Sequence, residues 1–332
     1  MKKFFALAAV VALALTSCVT TTEIPDPAGE ISFEAFNFKA QSRADVYGPI
    51  VGTAYPETEH FGVYAFISTD AVNNYMNNAE ILLDDVELVK DGAWRSINPR
   101  YYWPKGGTLT FVAYSPYVEN NAPSADRTTG ISFTAYTTTA NLDEQIDLMA
   151  TDLIPEVANY REDAVPVVFN HLLSQVCFQV NTEVTSDVAT VTLEELTLTN
   201  VLPTGDYAEG AWSNVRGAAL TFEYLPGIDD KQEVNGTATA VKKAAIVSPQ
   251  TLAKAEAVNN IKVSYTFSIK YAGTGATDVV NGTYELKDAT TAWEKGHKYT
   301  YTITYGTSDE ITFTPSIEED WTAGEGGSIT VG

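Results

Sequence analysis

Residues 261–271 read Ile261-Lys262-Val263-Ser264-Tyr265-Thr266-Phe267-Ser268-Ile269-Lys270-Tyr271. Every odd position is apolar or aromatic and every even position is polar. This is the two-residue period of a strand with one buried face and one wet face. The types agree with the period, because β-branched and aromatic side chains pack well on a pleated surface. Tyr299, Tyr301, Ile303 and Tyr305 alternate with Thr300, Thr302 and Thr304 in the same way.

The same pattern predicts strands at 31–38, 60–67, 81–89, 108–114, 131–136, 165–181, 189–200, 219–224, 279–287 and 311–317. In 189–200 the phase changes, since Val191 and Leu193 belong to one face and Leu196 and Leu198 to the other. A bulge near Glu194-Glu195 would account for the change. Asn235-Gly236 and Asn281-Gly282 suit tight hairpin turns, because both turn positions tolerate positive φ. The second implies an antiparallel pair between 261–271 and 283–287, with part of 273–280 as a longer connection. Helical patterns are weak, the best being 70–79 and 250–258. Many short strands with turn signals point to an all-β chain of sandwiches. The charged, proline-ended stretch 159–166 is the best boundary, and it divides the chain into an N-terminal sandwich at 44–165 and a C-terminal one at 166–332.

The 332 residues carry 43 acidic and 20 basic side chains, a formal charge of -23. That balance argues against nucleic acid, whose phosphates need Lys and Arg to displace counterions. His60, His171 and His297 stand far apart in sequence, none with a second ligand at metal spacing, and no nucleophile elbow or phosphate loop is present. Adjacent carboxylates such as Asp84-Asp85, Glu194-Glu195, Asp229-Asp230 and Glu318-Glu319 point to opposite faces of a strand and do not by themselves form an acid–base pair. No enzyme chemistry, metal or cofactor is therefore expected. Cys177, in Val176-Cys177-Phe178, has no basic neighbour to activate it and reads as a structural thiol.

Residues 1–17 form a signal peptide. Lys2 and Lys3 precede the apolar run Phe4–Leu15, which is too short to span a bilayer permanently. Leu15-Thr16-Ser17-Cys18 resembles the cleavage site of bacterial lipoproteins, which makes Cys18 the expected lipid attachment site. Thr20–Gly29 is polar and proline-containing, as a tether would be.

Several segments together resemble one family. They are the lipobox at Cys18, Ile31-Ser32-Phe33, Ser42-Arg43-Ala44, Tyr102-Trp103-Pro104 and Leu109-Thr110-Phe111-Val112-Ala113-Tyr114-Ser115-Pro116. Phe169-Asn170-His171-Leu172-Leu173-Ser174, Trp293-Glu294-Lys295-Gly296-His297-Lys298-Tyr299-Thr300-Tyr301, Ile311-Thr312-Phe313 and Ile317-Glu318-Glu319-Asp320-Trp321 complete the order. The chain resembles the fimbrillin family, the subunits of type V pili and their accessory lipoproteins.

The resemblance implies two tandem transthyretin-like β-sandwich domains and export as a lipoprotein on the cell outer membrane. It implies cutting between Arg43 and Ala44, with residues 18–43 acting as a lipid tether and removable first strand. The partners it implies are other pilin subunits, joined by donor-strand exchange in a fimbrium that supports adhesion. Ser328–Gly332 alternates but is short, so an anchor or tip accessory role stands beside the shaft role. A second alternative is a surface-anchored glycan-binding lipoprotein, with Trp94, Tyr101, Tyr102 and Trp103 as stacking groups.

Overall fold

The structure is a computed structural model. It describes residues 29–37, 55–68, 80–104, 108–119, 122–158, 164–225 and 230–319. The N-terminal half holds β1 (Phe33–Asn37), β2 (Phe61–Ser68), β3 (Glu80–Asp91), β4 (Ala93–Arg95), β5 (Thr108–Ser115), β6 (Ser124–Asp126), β7 (Gly130–Thr137), β8 (Met149–Ala150), β9 (Ile154–Ala158) and β10 (Val165–His171). The C-terminal half holds β11 (Ser174–Thr182), β12 (Ala189–Val201), β13 (Thr204–Ala208), β14 (Ala211–Arg216), β15 (Leu220–Glu223), β16 (Gln232–Val234), β17 (Thr239–Val247), β18 (Gln250–Thr251), β19 (Lys262–Tyr271), β20 (Thr277–Glu285), β21 (Ala292–Trp293), β22 (His297–Tyr305) and β23 (Ile311–Glu319). The chain is all-β, as the alternation predicts.

Residues 261–271 behave as their pattern dictates. Ile261, Val263, Phe267 and Ile269 are buried, while Tyr265 and Tyr271 are half-buried. The phase change in β12 is a bulge, where the register against β19 shifts between Leu193 and Glu195. The extra residue lets Leu193 and Leu196 both face the core.

In the C-terminal half, the sheet β17-β11-β22-β23 faces the sheet β15-β12-β19-β20. One core cluster fills the space between them. Phe178 of the first sheet meets Tyr224, which follows β15, edge-on at 4.8 Å. The Tyr224 hydroxyl is buried and donates to the Val176 carbonyl at 3.0 Å, so this polar group keeps a partner inside the core.

The N-terminal half is arranged differently. The order β2-β3-β4-β1-β10-β8-β5 returns to β2, which pairs with β5 as well as β3. Seven strands thus follow a closed path, with β9 attached to β5. Closure removes the open edges along that path. Its interior holds Phe33, Phe61, Phe111, Phe169, Trp94 and Trp103.

The two halves meet through a third cluster that includes Tyr64, Tyr114, Phe133, Leu172, Leu173, Tyr207 and Ile246. A sheet also crosses between them, in the order β14-β13-β7-β6. The Ile246 N–H donates to Gln145 Oε1 at 2.6 Å, and the Trp212 Nε1–H donates to the Leu172 carbonyl at 2.6 Å.

Several expectations differ from the structure. The run 165–181 is two strands, because Leu172 and Leu173 are both buried and break the alternation between β10 and β11. Strand β10 begins at the expected boundary but pairs with β1 and β8 of the first half. Asn281-Gly282 is not a turn. It lies inside β20, opposite Thr266 and Tyr265, and the connection runs through Gly273 and Gly275 instead. A Cβ on Gly282 would stand 2.6 Å from the Tyr265 hydroxyl, so the glycine makes room for a ring on the neighbouring strand. Asn235-Gly236 links β16 to β17, which belong to different sheets. The helical candidate at 250–258 is β18 followed by a 3-10 turn at Ala257–Asn259, and the one at 70–79 lies outside the described residues.

Candidate functional site

Strand β1 is held in place by strands distant from it in sequence. It pairs in parallel with β10 from Phe33↔Val165 to Asn37↔Phe169. On its other side it meets β4 at Phe33↔Trp94. The residues before it continue the attachment, with the Ile31 N–H donating to the Tyr101 carbonyl at 2.9 Å and the Trp103 N–H to the Gly29 carbonyl at 3.1 Å. The Val165 N–H donates back to the Ser32 carbonyl at 2.8 Å.

Alternation places Ile31, Phe33 and Ala35 inward, and all three are buried. Phe33 meets Phe111 edge-on at 5.3 Å, and Phe111 also meets Trp103 at 5.8 Å. Taking this segment away would leave an apolar groove beside the unpaired side of β10. Buried backbone groups without partners are costly, so such a groove would carry unmet donors and acceptors along β10.

Glu30 anchors the entry to the strand. Its carboxylate accepts from Arg95 Nη1 at 3.0 Å and from Arg100 Nη1 at 2.8 and 2.9 Å. Arg100 Nη2 also lies 3.6 Å from Asp91. Sequence reasoning missed this cluster. Arg100 heads the aromatic segment at 100–104, but its partner is 70 residues earlier and no local pattern links them.

Cys18, Arg43 and Ala44 lie outside the described residues. The proposed stacking platform is not assembled. Trp94 is buried against Tyr55 and Phe61 at 5.1 and 5.3 Å, and Trp103 is buried on Phe111. Tyr101 is half-buried, which leaves Tyr102 as the exposed ring of the four. Large rings have gone to the core because that is where their area stabilises most.

The histidines are held by separate partners. His60 Nδ1 is 2.7 Å from Glu87, His171 Nδ1 is 2.9 Å from the buried Asp147, and His297 Nδ1 is 2.9 Å from the Lys295 carbonyl. No group of three or more metal-ligating side chains gathers among the described residues. Asp85 accepts from Tyr114 at 2.6 Å, whereas Glu194 and Glu195 do not divide between faces: the bulge turns both away from the core, and they accept from Ser268 and Thr266 on one face of β19.

Cys177 is a buried free thiol, and burial pushes it up to about 12. The native protein should therefore leave Cys177 unmodified by a water-soluble thiol reagent that labels it fully in denaturant. Rapid native labelling would refute the burial.

The family model described as fimbrillin-like matches residues 49–321. The chain belongs to the fimbrillin-like family. No curated protein matches it. Among solved structures, this fimbrillin-like chain is similar to a candidate cell adhesion protein from Bacteroides uniformis, at 19% identity and TM-score 0.47, covering 89% of this chain and 98% of that one. A candidate cell adhesion protein from Bacteroides ovatus is 16% identical at TM-score 0.49, covering 90% of this chain and 100% of that one. The tip fimbrial protein Mfa3 from Porphyromonas gingivalis, with a C-terminal truncation, is 11% identical at TM-score 0.37, covering 79% of this chain and 94% of that one.

Proposed function

We propose that this fimbrillin-like chain is a structural subunit of cell-surface fimbriae that supports adhesion and is assembled by donor-strand exchange. It is exported as a lipoprotein acylated at Cys18 and seated in the outer membrane. A protease cut between Arg43 and Ala44 then frees the first strand. The observation that carries this reading is the placement of β1 between β10 and β4, with Ile31, Phe33 and Ala35 buried. Burying a large apolar side chain contributes about 1.5–3 kcal/mol, so the vacated groove gains strongly from a replacement strand. A head-to-tail contact of this kind does not close on itself and propagates as a filament.

On this reading the chain has two tandem transthyretin-like units, the first removable strand lying before residue 44. Separate core clusters in the two halves support that division. Val165, Val167 and Phe169 pack in the first core and Val176 and Phe178 in the second, which favours a boundary later than 165/166. An anchor or tip accessory role stands beside the shaft role, since the strand seated in the groove is the chain's own β1 and not a donor from another subunit. The burial of Trp94 and Trp103 speaks against the glycan-binding alternative.

The test is mass spectrometry of the surface-exposed form of the protein, with Arg43→Ala beside it. A polypeptide beginning at Ala44 in the fimbrial fraction is expected, and Arg43→Ala should retain acylated Cys18 and fail to polymerise. Normal assembly of Arg43→Ala would remove the processing step.

A further inference from the structure

We infer that Arg95 and Arg100 form a carboxylate-recognition site that selects which strand can occupy the groove, and that in a second copy of this chain the selected strand begins Glu310-Ile311-Thr312-Phe313. The inference rests on the strand-exchange reading above.

Both guanidinium groups converge on one carboxylate, that of Glu30. The side chains are partly shielded, with relative exposures of 21% for Glu30, 24% for Arg95 and 39% for Arg100. If the strand leaves, Arg95 loses its counter-charge and Arg100 keeps only Asp91, at 3.6 Å, beside an emptied apolar groove. A replacement without a carboxylate at the same position leaves Arg95 unpaired and Arg100 with Asp91 alone, which penalises the wrong strand as well as favouring the right one. The resident carboxylate is also an incomplete partner. It takes one Nη of each arginine, and the buried Arg95 Nε–H has no acceptor among the described residues. A planar guanidinium fork binds a carboxylate best with two parallel donors, so the site can accept a better-placed carboxylate than Glu30.

Apolar spacing cannot make this choice, because the chain repeats it. Ile131-Ser132-Phe133-Thr134-Ala135 matches Ile31-Ser32-Phe33-Glu34-Ala35 at every position but the fourth, yet Gly130 stands where the first has Glu30. Glu310-Ile311-Thr312-Phe313 matches Glu30-Ile31-Ser32-Phe33 with the acid included and threonine for serine. The two echoes also differ in availability. Strand β7, which carries the first, is paired on both sides, by β13 and β6. Strand β23, which carries the second from Ile311 onward, is at the edge of its sheet and among the described residues pairs with β22 alone. Releasing β23 therefore breaks one ladder rather than two. Phe313, its central aromatic, is half-buried against Tyr284 at 4.2 Å, and Ile317 is 51% exposed. Pro315 would fall at the place of Ala35, beyond the residues that carry the match.

The test uses the full chain with a site-specific protease sequence inserted between Arg43 and Ala44. After cleavage the N-terminal fragment stays seated until a competing strand displaces it, and its release is read by native mass spectrometry. A synthetic peptide of residues 310–317 is expected to displace it at about one-tenth the concentration needed by the Glu310→Gln peptide. A peptide of residues 130–137 should be as weak as Glu310→Gln. Replacing both Arg95 and Arg100 by Met should erase the difference between the peptides. Equal displacement by the 310–317 peptide and its Glu310→Gln form on the unsubstituted protein overturns the recognition site and leaves strand exchange standing. Failure of every peptide to displace the fragment overturns both.

Discussion

Gly62→Ala is expected to destabilise the protein by about 3 kcal/mol or more, by overpacking a site with no slack. Gly62 is directly opposite Tyr114 in the β2–β5 pair. A Cβ added there would stand 2.1 Å from Tyr114 Cε1 and 2.5 Å from Cζ, so the ring occupies the space a side chain would need. The ring is fully buried, and its hydroxyl donates to Asp85 Oδ1 at 2.6 Å. Phe133 meets it edge-on at 6.2 Å. Burial, with the Asp85 carboxylate beside it, holds the Tyr114 phenol far above the usual tyrosine range, so it remains a donor at any working pH. Relief requires either parting β2 from β5 or expelling Tyr114 from its cluster. Urea unfolding should show a lower midpoint with an unchanged slope.

In a Tyr114→Ala background the same glycine substitution should cost under about 1 kcal/mol, because the clash is gone and the two sites couple. An unaltered urea midpoint for Gly62→Ala alone would sink the explanation. The comparison with Gly282→Ala sharpens it. There the nearest atom is the hydroxyl end of Tyr265, a half-buried ring that can swing aside, so the smaller loss is expected at Gly282.

Phe33→Ala is the second large effect, at about 3–5 kcal/mol for deleting a fully buried aromatic ring. Phe33 is 1% exposed and packs edge-on against Phe111. A loss of that size is a large part of the 5–15 kcal/mol that ordinarily holds a domain together. Its location decides what the loss does. Strand β1 is bound along β10 but to β4 at one position, so its detachment does not require the rest of the ring to open. Hydrogen exchange should therefore accelerate at 29–37 before it does in β5 or β10. The freed groove should promote self-association at concentrations where the unsubstituted chain stays monomeric. If 29–37 exchanges at the unsubstituted rate and the urea midpoint is unmoved, β1 is not the releasable element.

Much of the architecture could be read from side-chain order, for a reason particular residues make plain. Burial acts on each side chain separately, so Val263, Phe267 and Ile269 announce one face of a strand whatever they will later touch. The Glu194-Glu195 bulge was legible on the same ground, since Leu193 and Leu196 cannot both face inward without an extra residue. Asn281-Gly282 shows where this reasoning ends. The dipeptide favours a turn locally, but Tyr265 on the adjacent strand needs the space a missing Cβ leaves, and packing overrode propensity. The two-residue strand β8 and the three-residue β4 are too short to carry a period, and they are the pieces that help close the N-terminal ring.

The candidate site divides along the same line. Its apolar half, Ile31 and Phe33, and the family to which the chain belongs were accessible from the sequence. Its charged half was not, because Glu30 meets Arg95 and Arg100 across 65 and 70 residues. The sequence by itself determined that this protein is all-β, strongly acidic and fimbrillin-like, because periodicity, charge and ordered short motifs are properties of the chain. Only the tertiary structure decided that the first strand sits between β10 and β4, that the tryptophans are core rather than platform, and that one carboxylate joins two arginines. Those are facts about which distant segments share a surface, and the spacing of residues along a chain does not encode them.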